Sequence, residues 1–141
     1  MGLTSEEKVS LSDIRFQKAQ EMLSDAVLNM EGKRYKTAAN RSYYAAYHAA
    51  RSLLILKGID PSTHDGVKAM FSLHFVKNNL ISIETGKIYQ NLMSLRNEAD
   101  YDDFSEITGT EAENAINIVQ KFIETLDKTR NGIKNEIIHG Q

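Results

Sequence analysis

The apolar positions of the chain recur with the period of an α-helix and divide it into five segments. The first four lie at about residues 12–31, 33–57, 63–77 and 84–101, and the fifth carries apolar side chains from 112 to 126. The apolar face predicted for the first segment consists of Ile14, Ala19, Met22, Leu23, Ala26 and Met30. No segment alternates apolar and polar residues as a β-strand does. The pattern predicts an all-α fold, an antiparallel up-and-down four-helix bundle with an additional short helix.

Residues that end or begin helices fall between these segments. Gly32 and Gly58 follow the first and second segments, and glycine tolerates the left-handed backbone that closes many helices. Pro61 disfavours helix at the residue before it, which predicts a turn at that point. Thr110 and Glu113 have the spacing of a capping box, so we expect the last helix to begin there.

The composition favours one globular domain over residues 1–141. Hydrophobic residues make up 41% of the chain and charged residues 26%, which is enough for a core and a soluble surface. The formal net charge of −2 argues against avid, sequence-independent binding of duplex nucleic acid, although a local basic cleft is compatible with it. The chain has no cysteine, and no apolar run approaches the roughly 20 residues that span a bilayer. We therefore expect a cytoplasmic protein with no membrane contact.

A stripe of polar and aromatic residues runs along the second predicted helix, in the stretch NRSYYAAYHAARSLL. Arg41, Tyr44, His48 and Arg51 follow one another at helical spacing and so share one side of the helix. Mostly small residues lie on the neighbouring face. One interpretation is a buried polar network in which the tyrosines anchor the core. The other is a cationic, aromatic wall suited to contact with phosphates or bases.

A second stripe lies on the fourth predicted helix and consists of Tyr89, Met93, Arg96 and Asp100. Asp100 follows Arg96 by four residues, so the two side chains can pair. In that position Asp100 can orient Arg96, whose planar guanidinium suits a phosphate. The alternative is a structural bridge to the second helix or to a second subunit. The two stripes are predicted to face each other across a groove.

Other familiar chemistry is missing from the sequence. No HExxH pattern and no Cys/His cluster occurs, so we expect no metal site. The glycines form no phosphate-binding loop, and we expect no cofactor. His64 follows the turn at Pro61 and is a further candidate for ligand contact.

Three motifs taken together resemble the HEPN domain family, and most closely its small stand-alone prokaryotic members. They are the Tyr-Tyr-Ala stretch of the second helix, the His-Asp-Gly after the turn, and the Arg-x-x-x-Asp-Tyr within GKIYQNLMSLRNEADYDDF. The similarity covers about residues 10–127, nearly the whole chain.

The resemblance implies a helical bundle that commonly forms a homodimer. It also implies a role in toxin–antitoxin, defence or RNA-processing systems, often beside a minimal nucleotidyltransferase. Active family members are metal-independent endoribonucleases. In them an arginine, a polar residue and a later histidine form a motif, and the motifs of two subunits meet in a cleft at the dimer interface.

Arg96 and Asn97 match the start of that motif, but Tyr101 stands where the histidine is expected. Tyrosine and aspartate ionise far from neutral pH and are poor substitutes for imidazole in proton transfer. Some family members carry a tyrosine that the partner nucleotidyltransferase adenylylates. The matching position here is Asp103, so Tyr101 is displaced from it.

Three functions compete on this basis. The first is a toxin-like or substrate-binding half of a two-component system, which binds nucleotide or RNA in a dimer-interface cleft. The second is an endoribonuclease toxin that uses Arg96 with an unusual proton-transfer group. The third is a non-catalytic dimerisation module. The catalytic candidates are Arg96, Asp100 and Tyr101, with His48 or His64 as an alternative for proton transfer. The residues expected to contact nucleotide or RNA are Arg41, Tyr44, His48, Arg51, His64 and Asn97.

Overall fold

The structure is a computed structural model that describes residues 2–104 and 106–140, and the ordered elements in it are helices. The four long helices are α1 (Ser5–Glu31), α2 (Tyr35–Leu56), α4 (Ile83–Tyr101) and α5 (Gly109–His139). The short α3 (His64–Phe71) continues into a π-helical turn (Ser72–Val76). The predicted all-α bundle with one additional short helix is therefore confirmed.

α2 is the central helix and packs against α1, α4 and α5. Its buried face is rich in alanine, and the small side chains let the neighbouring helices approach closely. Six alanines of α2 are fully buried: Ala38, Ala39, Ala45, Ala46, Ala49 and Ala50. Larger side chains fill the space around them, among them Tyr43, Leu53, Phe71, Phe75 and Phe122. This packing brings Asn40 and Tyr44 of α2 next to α4.

Capping boxes set the starts of α1 and α5, and neither start is where we predicted it. α1 begins at Ser5 because Thr4 and Glu7 satisfy each other's backbone donors, at 3.1 and 3.0 Å. In α5 the box is formed by Thr108 and Glu111, not by Thr110 and Glu113. The extended backbone of Thr108 (φ −77°, ψ 160°) is the conformation that an N-cap requires.

The predicted apolar face of α1 is wrong at Ile14, which is 51% exposed. The buried residues of this helix are instead Ser12, Phe16, Ala19 and Ala26. Ile14 lies two residues from both Ser12 and Phe16, so a helix of 3.6 residues per turn directs it away from the core.

α5 extends well past 126, the last apolar position that we identified in it, and a polar cluster joins its end to α1. Arg130 is only 7% exposed. Its Nη1 donates to Asp13 Oδ1 at 2.7 Å, and its Nε and Nη2 donate to Asp127 Oδ1 at 3.3 and 3.2 Å. Lys134 Nζ also donates to Asp13 Oδ1, at 2.7 Å. We call Arg130, Asp13, Asp127 and Lys134 the Arg130 centre.

Among the described helices, none combines the length and the apolar character needed to cross a membrane.

Candidate functional site

Arg96 of α4 is the best-connected polar side chain between α4 and α2. It is 9% exposed, and its Nη2 donates to the Tyr44 hydroxyl of α2 at 3.1 Å. Its Nη1 donates to Asn97 Oδ1 at 3.2 Å. Its Nε lies 3.0 Å from Asp100 Oδ2, an ion-pair distance, but the N–H is not aligned for a hydrogen bond. We call Arg96, Tyr44, Asn97 and Asp100 the Arg96 centre.

The carboxylate of Asp100 is shared with α2. Asn40 Nδ2 donates to both Asp100 oxygens, at 2.9 and 3.2 Å. The Asn40 Oδ1 in turn accepts a hydrogen bond from Arg41 Nη1 at 2.7 Å. Asn40 therefore links Arg41 to the Arg96 centre. Asp100 divides its acceptor capacity between an amide and a guanidinium.

Three tyrosine rings surround the Arg96 guanidinium. Its Cζ lies 5.2 Å from the ring centroid of Tyr101, 5.4 Å from that of Tyr43 and 5.5 Å from that of Tyr44. Such distances allow cation–π attraction. Burial lowers the pKa of Arg96, but the neighbouring Tyr44, Tyr101 and Asp100 outweigh that effect and the net pKa is raised. Arg96 thus stays charged.

His64 brings an imidazole to this tyrosine cluster. It is the first residue of α3, held after the N-cap Thr63, and its Nδ1 lies 2.8 Å from the Tyr43 hydroxyl. Its ring centroid lies 4.5 Å from that of Tyr47. Burial, and then the positive charge of Arg96, lower the pKa of His64. The ring is therefore neutral near pH 7 and has one nitrogen able to accept a proton.

His48 and Arg51 form a separate part of the predicted stripe. Arg51 Nη2 donates to Asp60 Oδ1 at 3.2 Å, away from the Arg96 centre. Burial, and then the charges of Arg51, Lys18 and Arg15, lower the pKa of His48 to about 4. His48 is therefore neutral at physiological pH, and its buried Nδ1 has no hydrogen-bond partner among the described residues.

The structure places Tyr44, Asn97, Asp100 and Tyr101 around Arg96 and His64 beside them. The predicted α2 stripe is divided, since only Tyr44 touches Arg96 directly. Sequence reasoning did not single out Asn40, Tyr43 and Tyr47. The signal for the tyrosines was present in the run Tyr-Tyr-Ala-Ala-Tyr, whose spacing covers one side and the edge of a helix. Asn40 gave no signal of its own.

Within residues 2–104 and 106–140, no three His, Cys, Asp or Glu side chains are grouped in a way that holds a metal ion. The polar groups around Arg96 are phenols, amides, one imidazole and one shared carboxylate. This set can bind an anion and exchange a proton.

Residues 12–129 match the model of the HEPN domain. The chain is a member of the HEPN domain family. A UPF0332 protein of Thermotoga maritima is 31% identical over 128 residues, which are 91% of this chain and 97% of the relative. Two proteins of Methanocaldococcus jannaschii, each named a "putative toxin", are 38% identical over 110 residues (78% of this chain, 81% of the relative) and 30% identical over 123 residues (85% and 84%). The family resemblance drawn from the three sequence motifs is confirmed.

Proposed function

We propose that this HEPN protein is the toxin-like, RNA-binding half of a two-component system, and that it holds single-stranded RNA at the Arg96 centre. The proposal rests chiefly on one observation, the buried Arg96 guanidinium whose two terminal nitrogens donate to neutral acceptors. The names of the two Methanocaldococcus relatives support a toxin-like role.

The partners of Arg96 determine how its positive charge is balanced. Within residues 2–104 and 106–140, Asp100 is the carboxylate that forms an ion pair with it, and Asp100 accepts its hydrogen bonds from Asn40. The acceptors that Arg96 uses, the Tyr44 hydroxyl and the Asn97 amide, are neutral. A buried cation in this condition gains from an incoming anion. Guanidinium binds phosphate through two parallel hydrogen bonds, which makes an RNA phosphate the best-fitting ligand.

Aromatic rings form the exposed edge of the same cluster. Tyr44 and Tyr47 are partly exposed, and Tyr101 is 71% exposed. Bases of single-stranded nucleic acid stack on such rings with little regard to sequence. Bases in a duplex are already stacked, and the net charge of −2 offers duplex backbones little attraction. A single strand is therefore the substrate class we infer.

The proposal also includes a second copy of the chain and a minimal nucleotidyltransferase partner. Both come from the family resemblance, in which paired motifs meet in a dimer cleft. Light scattering of the purified protein tests the first, and co-purification with the product of a neighbouring nucleotidyltransferase gene tests the second. A monomer whose RNA affinity is independent of protein concentration would contradict the shared cleft.

Fluorescence anisotropy with labelled oligouridylate tests the binding function. We expect Arg96→Gln to weaken binding about thirtyfold, which corresponds to one charge-assisted hydrogen bond to phosphate of about 2 kcal/mol. Arg34→Gln removes the same charge from an exposed position just before α2 and is the matched control. Equal affinities of wild type, Arg96→Gln and Arg34→Gln would reject the Arg96 centre as the binding site.

His64 favours a second candidate function, a metal-independent endoribonuclease. In that reaction a neutral imidazole takes the proton of a ribose 2′-hydroxyl, which attacks the adjacent phosphorus. The bond to the 5′ oxygen breaks, that oxygen takes up a proton, and a 2′,3′-cyclic phosphate forms. Arg96 would stabilise the negative charge that builds on the phosphate. His64 replaces Tyr101, Asp100 and His48 as the proton-transfer group in this hypothesis.

Incubation of RNA with the protein in the presence of a chelator tests this second function. Cleavage that is lost in His64→Gln and retained in His139→Gln, an exposed position near the end of α5, supports it. If the RNA stays intact after incubation with the wild type, the endoribonuclease function is rejected and RNA binding alone is the proposed function.

A further inference from the structure

A second cationic cluster lies where α1 and α2 meet the turn before α3. The carboxylate of Asp60 joins two arginines from different helices. Arg15 of α1 approaches it with both terminal nitrogens, at 3.2 Å each. Arg51 of α2 donates to it through Nη2, also at 3.2 Å. Lys18 is close enough for its charge to act on His48, as the charges of Arg15 and Arg51 do.

Charge is not balanced in this cluster. Two cations, Arg15 and Arg51, contact one carboxylate, Asp60, and the charge of Lys18 acts on the neighbouring His48, so positive charge is in excess here in a chain of net charge −2. Arg51 Nε is buried and has no hydrogen-bond partner among the described residues. Asp60 therefore holds the two arginines in place but does not accept hydrogen bonds from all of their N–H groups.

Ring contacts connect this cluster to the Arg96 centre. Arg51 Cζ lies 5.6 Å from the ring centroid of Tyr47, and the Tyr47 and Tyr44 centroids are 5.9 Å apart. The Tyr44 hydroxyl accepts the hydrogen bond from Arg96. The sequence of groups is therefore cation, two aromatic rings, cation, which is the pattern of a surface that tracks a single strand.

The spacing of the two ends suits more than one phosphate. Tyr44 and Arg51 are seven residues apart on α2, so their backbones are separated by about 10 Å along the helix axis. A mononucleotide at the Arg96 centre is too short to extend over Tyr47 to Arg51. A longer single strand covers both ends while its bases meet the two rings.

We propose that Arg15 and Arg51, held by Asp60, form with the nearby Lys18 a second phosphate subsite for the single-stranded RNA that occupies the Arg96 centre. This inference rests on the proposed RNA-binding function and adds residues of α1 to it. The affinity of the protein would then increase with strand length, since only a strand that reaches the second subsite is bound at both ends.

The test compares probes of increasing length, from uridine 5′-monophosphate to an octauridylate. For the double variant Lys18→Gln/Arg51→Gln we expect octauridylate to bind about tenfold more weakly, and the monophosphate to bind within about twofold of wild type. The slope of log affinity against log salt for the octamer should become shallower by about 1.4, because each of the two phosphates that the variant no longer neutralises accounts for about 0.7. Lys121→Gln/Lys128→Gln removes two exposed charges from α5 and is the matched control.

The outcomes separate the two proposals. If the double variant binds octauridylate as the control does, the second subsite is overturned and the Arg96 proposal stands. If wild type binds neither probe, both are overturned.

The variant Asp60→Asn tests the alternative that the cluster has a purely structural role. It keeps all three cations and removes the carboxylate that competes with phosphate. We expect it to bind octauridylate at least as tightly as wild type. A correctly folded Asp60→Asn protein, checked by circular dichroism, that loses as much affinity as the double variant would show that the cluster serves only to hold the turn, and would overturn the proposal.

Discussion

Arg96 on α4 and Arg130 on α5 are both nearly buried, and each lies beside a carboxylate of its own helix, Asp100 or Asp127. Their surroundings differ. Arg130 donates to two carboxylates, and Lys134 shares one of them, so two cations face two anions. Arg96 faces one carboxylate that also binds an amide, and its other partners are neutral.

A buried arginine that lies near an acidic residue in the sequence can therefore have either of two roles. Where carboxylates from two helices saturate it, as around Arg130, the guanidinium joins those helices and has no charge left for a ligand. Where phenols and amides supply the acceptors, as around Arg96, a single carboxylate balances the charge and the terminal guanidinium nitrogens donate to neutral groups. The first arrangement stabilises the fold, and the second can bind an anion.

The largest effect expected on stability comes from Arg130→Gln. We expect the free energy of unfolding to fall by about 1–2 kcal/mol, below the full loss for a buried ion pair because Asp13 and Asp127 are partly exposed and become hydrated. Arg96→Gln should cost less than about 1 kcal/mol, since Asp100 keeps its hydrogen bonds from Asn40. Urea denaturation of the two variants measures the free energy of unfolding. A larger decrease in Arg96→Gln than in Arg130→Gln would contradict the roles assigned to the two arginines.

The next effect is a pH dependence contributed by His48. Its pKa is about 4 in the folded protein and near 6.5 in a free chain, so the unfolded state binds more protons between these values. Its contribution to stability is complete above about pH 6.5 and is lost as the pH falls toward 4. Allowing for the partial solvent exposure of the ring, we expect a loss of about 1 kcal/mol that His48→Gln removes.

Unfolding curves at a series of pH values measure this contribution of His48. His139→Gln is the matched control. Identical pH dependence in wild type and His48→Gln would mean that the ring is hydrated in the folded protein.

A smaller effect appears at more acid pH in the Arg130 centre. Burial raises the pKa of Asp13, but hydrogen bonds and charge from Lys134 and Arg130 outweigh it, and the net pKa is lowered. A carboxyl group of this kind stabilises the fold above its unfolded pKa near 3.9, and the contribution is lost as the pH falls through its folded value. Asp13→Asn should cost a few tenths of a kcal/mol at pH 7. The difference from wild type should shrink as the pH falls below about 3.9, and a difference that does not change with pH would point to packing instead of charge.

An effect of similar size is expected from Tyr44→Phe. It removes the acceptor of the Arg96 Nη2 hydrogen bond but keeps the aromatic ring, so stability should fall by about 0.5 kcal/mol. RNA affinity should stay within about twofold, because the freed N–H can turn to phosphate and the base can still stack. An affinity loss as large as that of Arg96→Gln would mean that the hydroxyl itself contacts the ligand.

The helical architecture could be read from the sequence because periodic apolar positions and helix-breaking residues are local signals. Gly32, Gly58 and Pro61 all lie between helices of the structure. The helix starts were harder, since Thr110 and Glu113 have the same spacing as the true capping pair, Thr108 and Glu111. Only the backbone conformation distinguishes them.

The candidate site could be predicted in part. The pairing of Arg96 with Asp100 follows from helical spacing, and the structure shows it. The contacts of Asp100 with Asn40, and of Arg51 with Asp60, join residues that lie on different elements. Such contacts depend on how α2, α4 and the turn before α3 pack, which no local pattern contains.

The crowding of phenol rings near Arg96 also has a practical consequence. The chain has six tyrosines and no tryptophan, so its intrinsic near-ultraviolet emission is tyrosine emission. Five of the six belong to one connected group, Tyr43, Tyr44, Tyr47, Tyr89 and Tyr101. A base that stacks there quenches most of the light the protein emits, and occupancy can thus be followed in the unlabelled molecule.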